Sequence, residues 1–360
     1  MCRTSATLAL LALVASSFAR GDDTPASKAA ATTRPSAPKS EKPAANAPDE
    51  PYADHFSIAR GARFLDQVAV NWTRERKCGT CHTNYAYMMS RPAVKNVDGP
   101  EQAEIRSFFE RRVAGWDKPE KNAKPRWDAE VVATAAALAL HDASTTGTLH
   151  PLTRAALDRM WTSQRADGGW TWLKCDWPPF EHDDYYGAVL AAVAVGHAPG
   201  DYKSAASARA GIEKLRGYLR ATPPPDLHHR ALLMWASTRL DGLMDAETKS
   251  RTSRDLLALQ HADGGWSLPS LGGWHRRDGS PNDPNAPSDG YGTGFVVYML
   301  RESGTPADAE PIARAIGWLK THQRASGRWF TRSLSTDGAH YITHAGTGFA
   351  LLALTRCGVD

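Results

Sequence analysis

A glutamine, a glycine four residues on and a tryptophan two beyond that recur three times, as Gln164-Arg-Ala-Asp-Gly168-Gly-Trp170, Gln260-His-Ala-Asp-Gly264-Gly-Trp266 and Gln323-Arg-Ala-Ser-Gly327-Arg-Trp329. A pattern reused at long intervals marks one supersecondary unit repeated along the chain, each copy burying its apolar face against its neighbours. Gln164 and Gln260 stand 96 residues apart, twice a unit of about 48. The midpoint holds a degenerate copy, Ala210-Gly-Ile-Glu-Lys-Leu-Arg-Gly-Tyr-Leu219, which keeps the helix and loses the Gln/Trp end. Gln260 and Gln323 are 63 residues apart, and the excess is the Gly/Pro/Asn/Asp-rich stretch Gly272 to Gly290, read as an inserted loop. An early head, Arg60-Gly-Ala-Arg-Phe64-Leu65, parallels Arg314-Ala-Ile-Gly-Trp318-Leu319. Counted this way the chain has room for about six helix pairs.

Each unit opens with an apolar helix rich in small residues: Val131 to Leu140, Tyr186 to Val195, His229 to Ala236, Tyr291 to Leu300 and Ala345 to Leu354. Segments apolar nearly all round are buried inner helices, whereas Ala205 to Arg220 and Ala309 to Thr321 carry one apolar stripe and read as an outer layer.

Motif and alternation together resemble the QW repeat of squalene-hopene cyclases and the wider prenyltransferase and squalene-oxidase repeat proteins, over roughly residues 55 to 356. The resemblance implies an all-α fold, an α/α toroid of about six helix hairpins, in which Gln bonds backbone at a neighbouring helix end and Trp packs beside it. It also implies a central cavity for an apolar small molecule or lipid, a terpenoid or polyprenoid, and terpenoid cyclase or prenyltransferase chemistry if the chain is an enzyme.

The chain carries 42% hydrophobic residues and a formal charge of +4, a mild basic excess with no clustered nucleic-acid footprint. Met1 to Ala19 has a basic start at Arg3, an apolar run from Ala6 to Val14 and Ser17-Phe-Ala19 before Arg20. It reads as a secretory signal peptide (1–20), which makes the chain periplasmic or secreted. Residues 21–52 are Ala/Pro/Lys-rich without apolar period, an expected disordered linker ahead of a toroid domain at 53–360. No further stretch is long and apolar enough to span a bilayer.

Within the first repeat, in the segment 72–92, lies Lys77-Cys78-Gly-Thr-Cys81-His82. Two cysteines three apart with a following histidine are the spacing at which both thiols form thioethers with haem vinyl groups while His82 supplies the axial nitrogen to the iron. This reading makes Cys78, Cys81 and His82 the cofactor-binding residues of a c-type haem and calls for a redox partner. A Cys78–Cys81 disulfide and a metal site that adds Cys175 are the alternatives. Met88 and Met89 are read as packing rather than as a distal ligand.

The run Glu181-His182-Asp183-Asp184-Tyr185-Tyr186 resembles the D-x-D-D acid motif of squalene-hopene cyclases, which implies catalytic roles for Glu181, Asp183 and Asp184. Packed acids raise one another's pKa, as a proton donor to an alkene requires. Setting Gly187 against Gly292 and Gly346 places Asp184 opposite Asp289, just before a helix, where an Asp also serves as a cap. Inner helices that point one way bring Glu181, Asp183, Asp184, Asp289 and His344 to one mouth, with Tyr185, Tyr186 and Tyr291 lining a substrate cavity. His228, His229, His275 and His340 are read as loop or rim residues, and Cys175 and Cys357 as free to pair or to stay buried. Three function classes stand: a cyclase or, on a similar toroid, an exported polysaccharide lyase; a haem redox protein; and a non-catalytic binding or scaffold protein.

Overall fold

Apolar helices that alternate with striped ones can bury both sets by wrapping an outer ring of helices around an inner one. The computed structural model describes residues 43, 45–95, 97, 99–118, 125 and 127–359. The signal peptide read at 1–20 and most of the linker read at 21–52 lie outside the described residues.

The described helices form six pairs: α1 (Ile58–Arg76) with α2 (Ala86–Ser90), α3 (Glu101–Gly115) with α4 (Asp128–Thr145), α5 (Pro151–Thr162) with α6 (Asp184–His197), α7 (Ala206–Ala221) with α8 (Leu227–Ala236), α9 (Ala246–Ala258) with α10 (Gly290–Glu302), and α11 (Glu310–Thr321) with α12 (Ile342–Arg356). The even-numbered helices touch in chain order, and α12 packs against α2, so the inner ring closes. The fold is an α/α toroid, as expected.

Inner helices are small-residue helices because their backbones approach closely. A Cβ on Gly294 of α10 would lie 2.4 Å from Ala350 N of α12. Neighbouring inner helices also run parallel: Tyr185 meets His229 and, farther along, His197 meets Trp235, while His228 meets Tyr291 and Trp235 meets Tyr298. Their N-termini therefore share one mouth. Three of them begin on an aspartate cap, Asp183, Asp226 and Asp289, each accepting a backbone N–H three residues on.

The repeated motif is a staple between consecutive outer helices. Gln164 Nε2 donates to Gly168 O and to Gly211 O of α7; Gln260 Nε2 donates to Gly264 O and to Pro311 O of α11; Gln323 Nε2 donates to Gly327 O and to Ser57 O, the cap of α1. Trp170, Trp266 and Trp329 are fully buried, and each indole donates to the carbonyl ten residues earlier. The motif glycine is obligatory: Gly168, Gly264 and Gly327 have φ of 96°, 92° and 99°, and a Cβ on Gly327 would lie 2.4 Å from Arg60 O of α1.

The third staple joins the last repeat to the first. Gln323 Oε1 also accepts from Ser57 N at 2.8 Å, Ala53 N donates to Gln323 O and Ala325 N to Pro51 O. Residues 45–52, the end of the stretch read as linker, are fastened here as well, with Glu50 ion-paired to buried Arg328. Gln323→Ala removes three side-chain hydrogen bonds at a site 1% exposed. It is expected to cost about 1 to 3 kcal/mol in urea unfolding, because Ser57 N and O then stay desolvated and unmatched; an unchanged midpoint would deny the clasp its energetic role.

The inserted loop lies over the mouth. Arg277 N donates to Ser335 O, Arg276 Nη1 to Ser333 O, and the Arg277 guanidinium sits 5.3 Å from the Trp177 ring centroid.

Candidate functional site

The first inner helix departs from the others. Helix α1 ends at Lys77 in the left-handed conformation, φ 51°; after Cys78 to Thr80 the chain makes one π-helical turn, Cys81–Tyr85, and only then enters α2. Thr80 Oγ1 caps the turn by accepting from Thr83 N, and buried Asn84 anchors it to α1 by donating to Ala69 O and Thr73 Oγ1. Gly79 is needed because a Cβ there would lie 2.8 Å from Phe109.

Beside this turn is a pocket of about 240 Å³ walled by Cys78, Cys81, His82 and Tyr85 on one side, Phe108, Phe109 and Arg112 of α3, Trp127 ahead of α4, and Leu173, Cys175 and Glu181 from the loop before α6. Trp127, at the edge of the pocket, is 56% exposed. His82 is half-buried, stacked on Tyr341 at 5.1 Å and edge-on to Trp72 at 5.2 Å. Burial lowers its pKa to about 4, so the ring is neutral at pH 7. Its Nδ1 bonds Thr83 Oγ1 at 2.9 Å, and the same hydroxyl bonds Nδ1 of buried His344 at 2.9 Å. Asn46 Nδ2 completes the relay at His344 Nε2, 3.1 Å away.

Cys175 joins this pocket rather than Cys357, which lies past the opposite end of α12, and neither forms a disulfide. Cys78 and Cys81 are likewise unbridged thiols. Glu181 takes hydrogen bonds from the thiols of Cys81 and Cys175, which hold its carboxyl down while burial pushes it up more strongly. Burial, and then the neighbouring Glu181, push the Cys81 thiol well above its ordinary value.

The acid run separates in space. Glu181 faces the thiols, whereas Asp184 turns to Arg165 at 2.6 Å and accepts from Trp172 N, holding the motif turn against α6. Asp183 caps α6 and faces His229. Asp289 combines both tasks in one carboxylate, accepting from Gly292 N, Leu268 N and Thr331 Oγ1. Burial pushes its pKa up to about 6 against the pull of those donors. The unfolded carboxyl loses its proton near 3.8, so between about pH 4 and 6 the native state binds more protons and stability falls as pH rises. Asp289→Asn is expected to flatten that slope in urea unfolding while costing about 1 to 3 kcal/mol at pH 5, since the amide NH₂ would confront a backbone donor; an unaltered slope would show that Asp289 does not titrate there.

Tyr185 and Tyr186 are buried, the former edge-on to His229. At the ring centre Tyr186, Tyr291, Phe180, Phe349 and Trp235 leave a cavity of about 30 Å³, room for about one or two waters. Met89 lines it and Met88 is fully buried in the core.

His228 and His229, read as rim residues, are instead fully buried near the start of α8. The signal was present in Asp226, three residues before His229 and capping the helix that carries both rings. His229 Nδ1 lies 2.7 Å from Asp226 Oδ1 and its Nε2 3.1 Å from Asp183 Oδ2, an ion-pair distance without hydrogen-bond geometry. Burial opposes charge on His229, but the two carboxylates outweigh it and raise the pKa to about 9. His340 accepts from Ser333 N in its loop, and His275 bridges Pro281 in the insertion.

Comparison with known proteins supports the architecture. Among solved structures the chain is similar to ent-copalyl diphosphate synthase from Streptomyces platensis, at 17% identity and TM-score 0.51 over 77% of this chain and 50% of the synthase. It is also similar to a glycosidase variant in complex with glucose, at 12% identity and TM-score 0.52 over 84% of this chain and 98% of that one. The chain thus spans about half the length of the synthase. Terpene-cyclase and glycosidase structures share this toroid, and at such identities the likeness is one of fold. No protein-family model matches the chain, and no curated protein matches it in sequence.

Proposed function

We propose that this chain is an exported redox protein, a cyclase-type toroid that carries a covalent c-type haem in the pocket at its mouth, attached through Cys78 and Cys81 with His82 as the axial ligand. The observation that carries this reading is the joint placement of both thiols and the imidazole on one wall of an aromatic pocket. His82 Nδ1 is held by Thr83, which leaves Nε2 for the metal, the outer-shell arrangement in which a ligating histidine is fixed through its other nitrogen. Phe108, Phe109, Tyr85 and Trp127 offer apolar and aromatic faces for a porphyrin, and Lys77 supplies a cationic group for a propionate, while Arg112 is ion-paired with Glu130. When bound, the haem supplies a reversible one-electron change at its iron.

The chain's own part is to present reduced thiols, to orient the imidazole and to exclude water from one ring face. Cys78 and Cys81, both free thiols, would each be joined to the group by addition of S–H across a vinyl C=C, a C–S and a C–H bond formed with no net oxidant, which would require both cysteines to arrive reduced. The toroid is then a scaffold for the cofactor and for a redox partner that approaches at the mouth. The small volume at the ring centre favours this reading over cyclisation of a terpenoid or polyprenoid there.

The full chain, expressed with cytochrome c maturation machinery, tests this. A pyridine haemochrome spectrum and a denatured mass increased by one haem are expected. An unmodified mass with Cys78 disulfide-bonded to Cys81, under active maturation, would overturn it.

A further inference from the structure

Some 60 residues of sequence separate Tyr291 from His228, and more than 40 separate His229 from Asp183, yet these four side chains and Asp226 converge where α6, α8 and α10 begin. One donor atom from each of Asp226, His228 and His229 lies within 4.8 Å of the other two. Both imidazoles are fully buried. A buried polar cluster is costly unless each atom finds a partner, and here His228 Nδ1 has none.

The outer contacts of the two rings follow one plan. His228 Nε2 is bonded to Tyr291 OH at 2.9 Å, and His229 Nε2 is faced by Asp183 Oδ2 at 3.1 Å. His228 is thus engaged through Nε2 and leaves Nδ1 without a partner, while His229 makes its hydrogen bond through Nδ1, to Asp226 at 2.7 Å, and has Asp183 beside Nε2 at ion-pair distance. Histidines that ligate metals are held through the other ring nitrogen by a hydroxyl or carboxylate; Tyr291 does this for His228, and Asp183 stands where it would do so for His229 once an ion takes the place of the Nδ1 proton. Stacking of His228 on Phe295 at 4.4 Å, and of Tyr185 edge-on to His229, fixes the planes of both rings.

We propose that Asp226, His228 and His229 form a binding site for a divalent transition-metal ion of the zinc type. Two imidazoles and one carboxylate are a borderline-soft donor set that suits zinc over calcium or magnesium, and three protein ligands leave one position of a tetrahedral ion open. Asp183 and Tyr291 are the positioning residues. The ion's path is past the carboxylates, since Asp226 and Asp183 side chains are 12% and 24% exposed while both histidines are closed off. Binding displaces a proton from between His229 and Asp226, so the ion replaces the contact they make without it. The site shares the mouth with the haem pocket and does not depend on it.

The test uses the full chain stripped with a chelator and then titrated with Zn²⁺ by calorimetry, with Co²⁺ as the spectroscopic probe. One ion per chain is expected, with tetrahedral Co²⁺ absorption bands and, at about a hundredfold excess over Kd, a rise in Tm of about 4 °C. Asp226→Asn and His229→Gln should each abolish stoichiometric binding, and Asp183→Asn should weaken it about 10- to 100-fold. Absence of Zn²⁺ binding by the wild-type chain overturns the proposal whatever the variants do. Binding that persists in Asp226→Asn and His229→Gln but is lost in Cys78→Ser/Cys81→Ser overturns it too, by assigning the ion to the thiols.

Discussion

With Cys78 and Cys81 both replaced by alanine, covalent haem should vanish from the chain: no Soret band after denaturation in acid acetone, and the mass of the bare polypeptide. Each single variant should retain one thioether and a lower yield. His82→Ala should keep the covalent mass, because thioether chemistry needs only the thiols, and should change the ligand field of the iron, seen as a shift in its visible and electron paramagnetic resonance spectra. The variants separate attachment from ligation. If haem copurifies with the double variant at wild-type stoichiometry and by a covalent bond, the site is elsewhere.

The largest loss of stability is expected from Asp66→Ala. Arg91 is fully buried and directs Nε and Nη2 to the two carboxylate oxygens of Asp66, at 2.9 and 3.1 Å, and its other bonds to Val94 O and Val97 O. Tyr87 OH donates to Asp66 Oδ1 at 2.7 Å. Removing the carboxylate strands a guanidinium in the interior, which costs about 3 to 5 kcal/mol. Urea unfolding followed by circular dichroism reads this directly. Arg91→Met in the Asp66→Leu background should recover much of it, since neither charge then remains. A loss below about 1 kcal/mol would mean that water reaches Arg91. The network fastens Tyr87, Arg91, Val94 and Val97 to α1, so its loss should also loosen the Cys78–His82 segment before them.

The repeat staples were legible because Gln, Gly and Trp each have a local reason to occupy their places: a donor for two carbonyls, a positive φ and a large buried ring. The inner helices were legible for a similar reason, as composition alone betrays a helix buried on every side. What stayed hidden was pairing across the ring. Nothing near Cys175 or Glu181 announces that they meet Cys81 about a hundred residues earlier, because that contact is set by the curvature of the toroid. His228 and His229 looked like rim residues because, Asp226 apart, their partners Asp183 and Tyr291 lie at the starts of two other helices. The acid run misled in another way. Neighbours in sequence that straddle a helix start point to different places, so Glu181, Asp183 and Asp184 serve a thiol pair, an imidazole and an arginine in turn.

The relay from His82 through Thr83 and His344 to Asn46 has a direction, because a hydroxyl has one proton to give. With Asn46 Nδ2 donating to His344 Nε2, His344 carries its proton on Nδ1, Thr83 gives its own to His82 Nδ1, and His82 is left with a proton on Nε2. Turning over the Asn46 amide reverses every bond in the row and bares the Nε2 lone pair. A metal ion drawn to that lone pair would therefore favour one face of the Asn46 amide, three residues along the relay from His82, in an arm that is also fastened to Arg328 through Glu50. The clasp between the last repeat and the first and the protonation of His82 are, in this sense, set by the same row of protons.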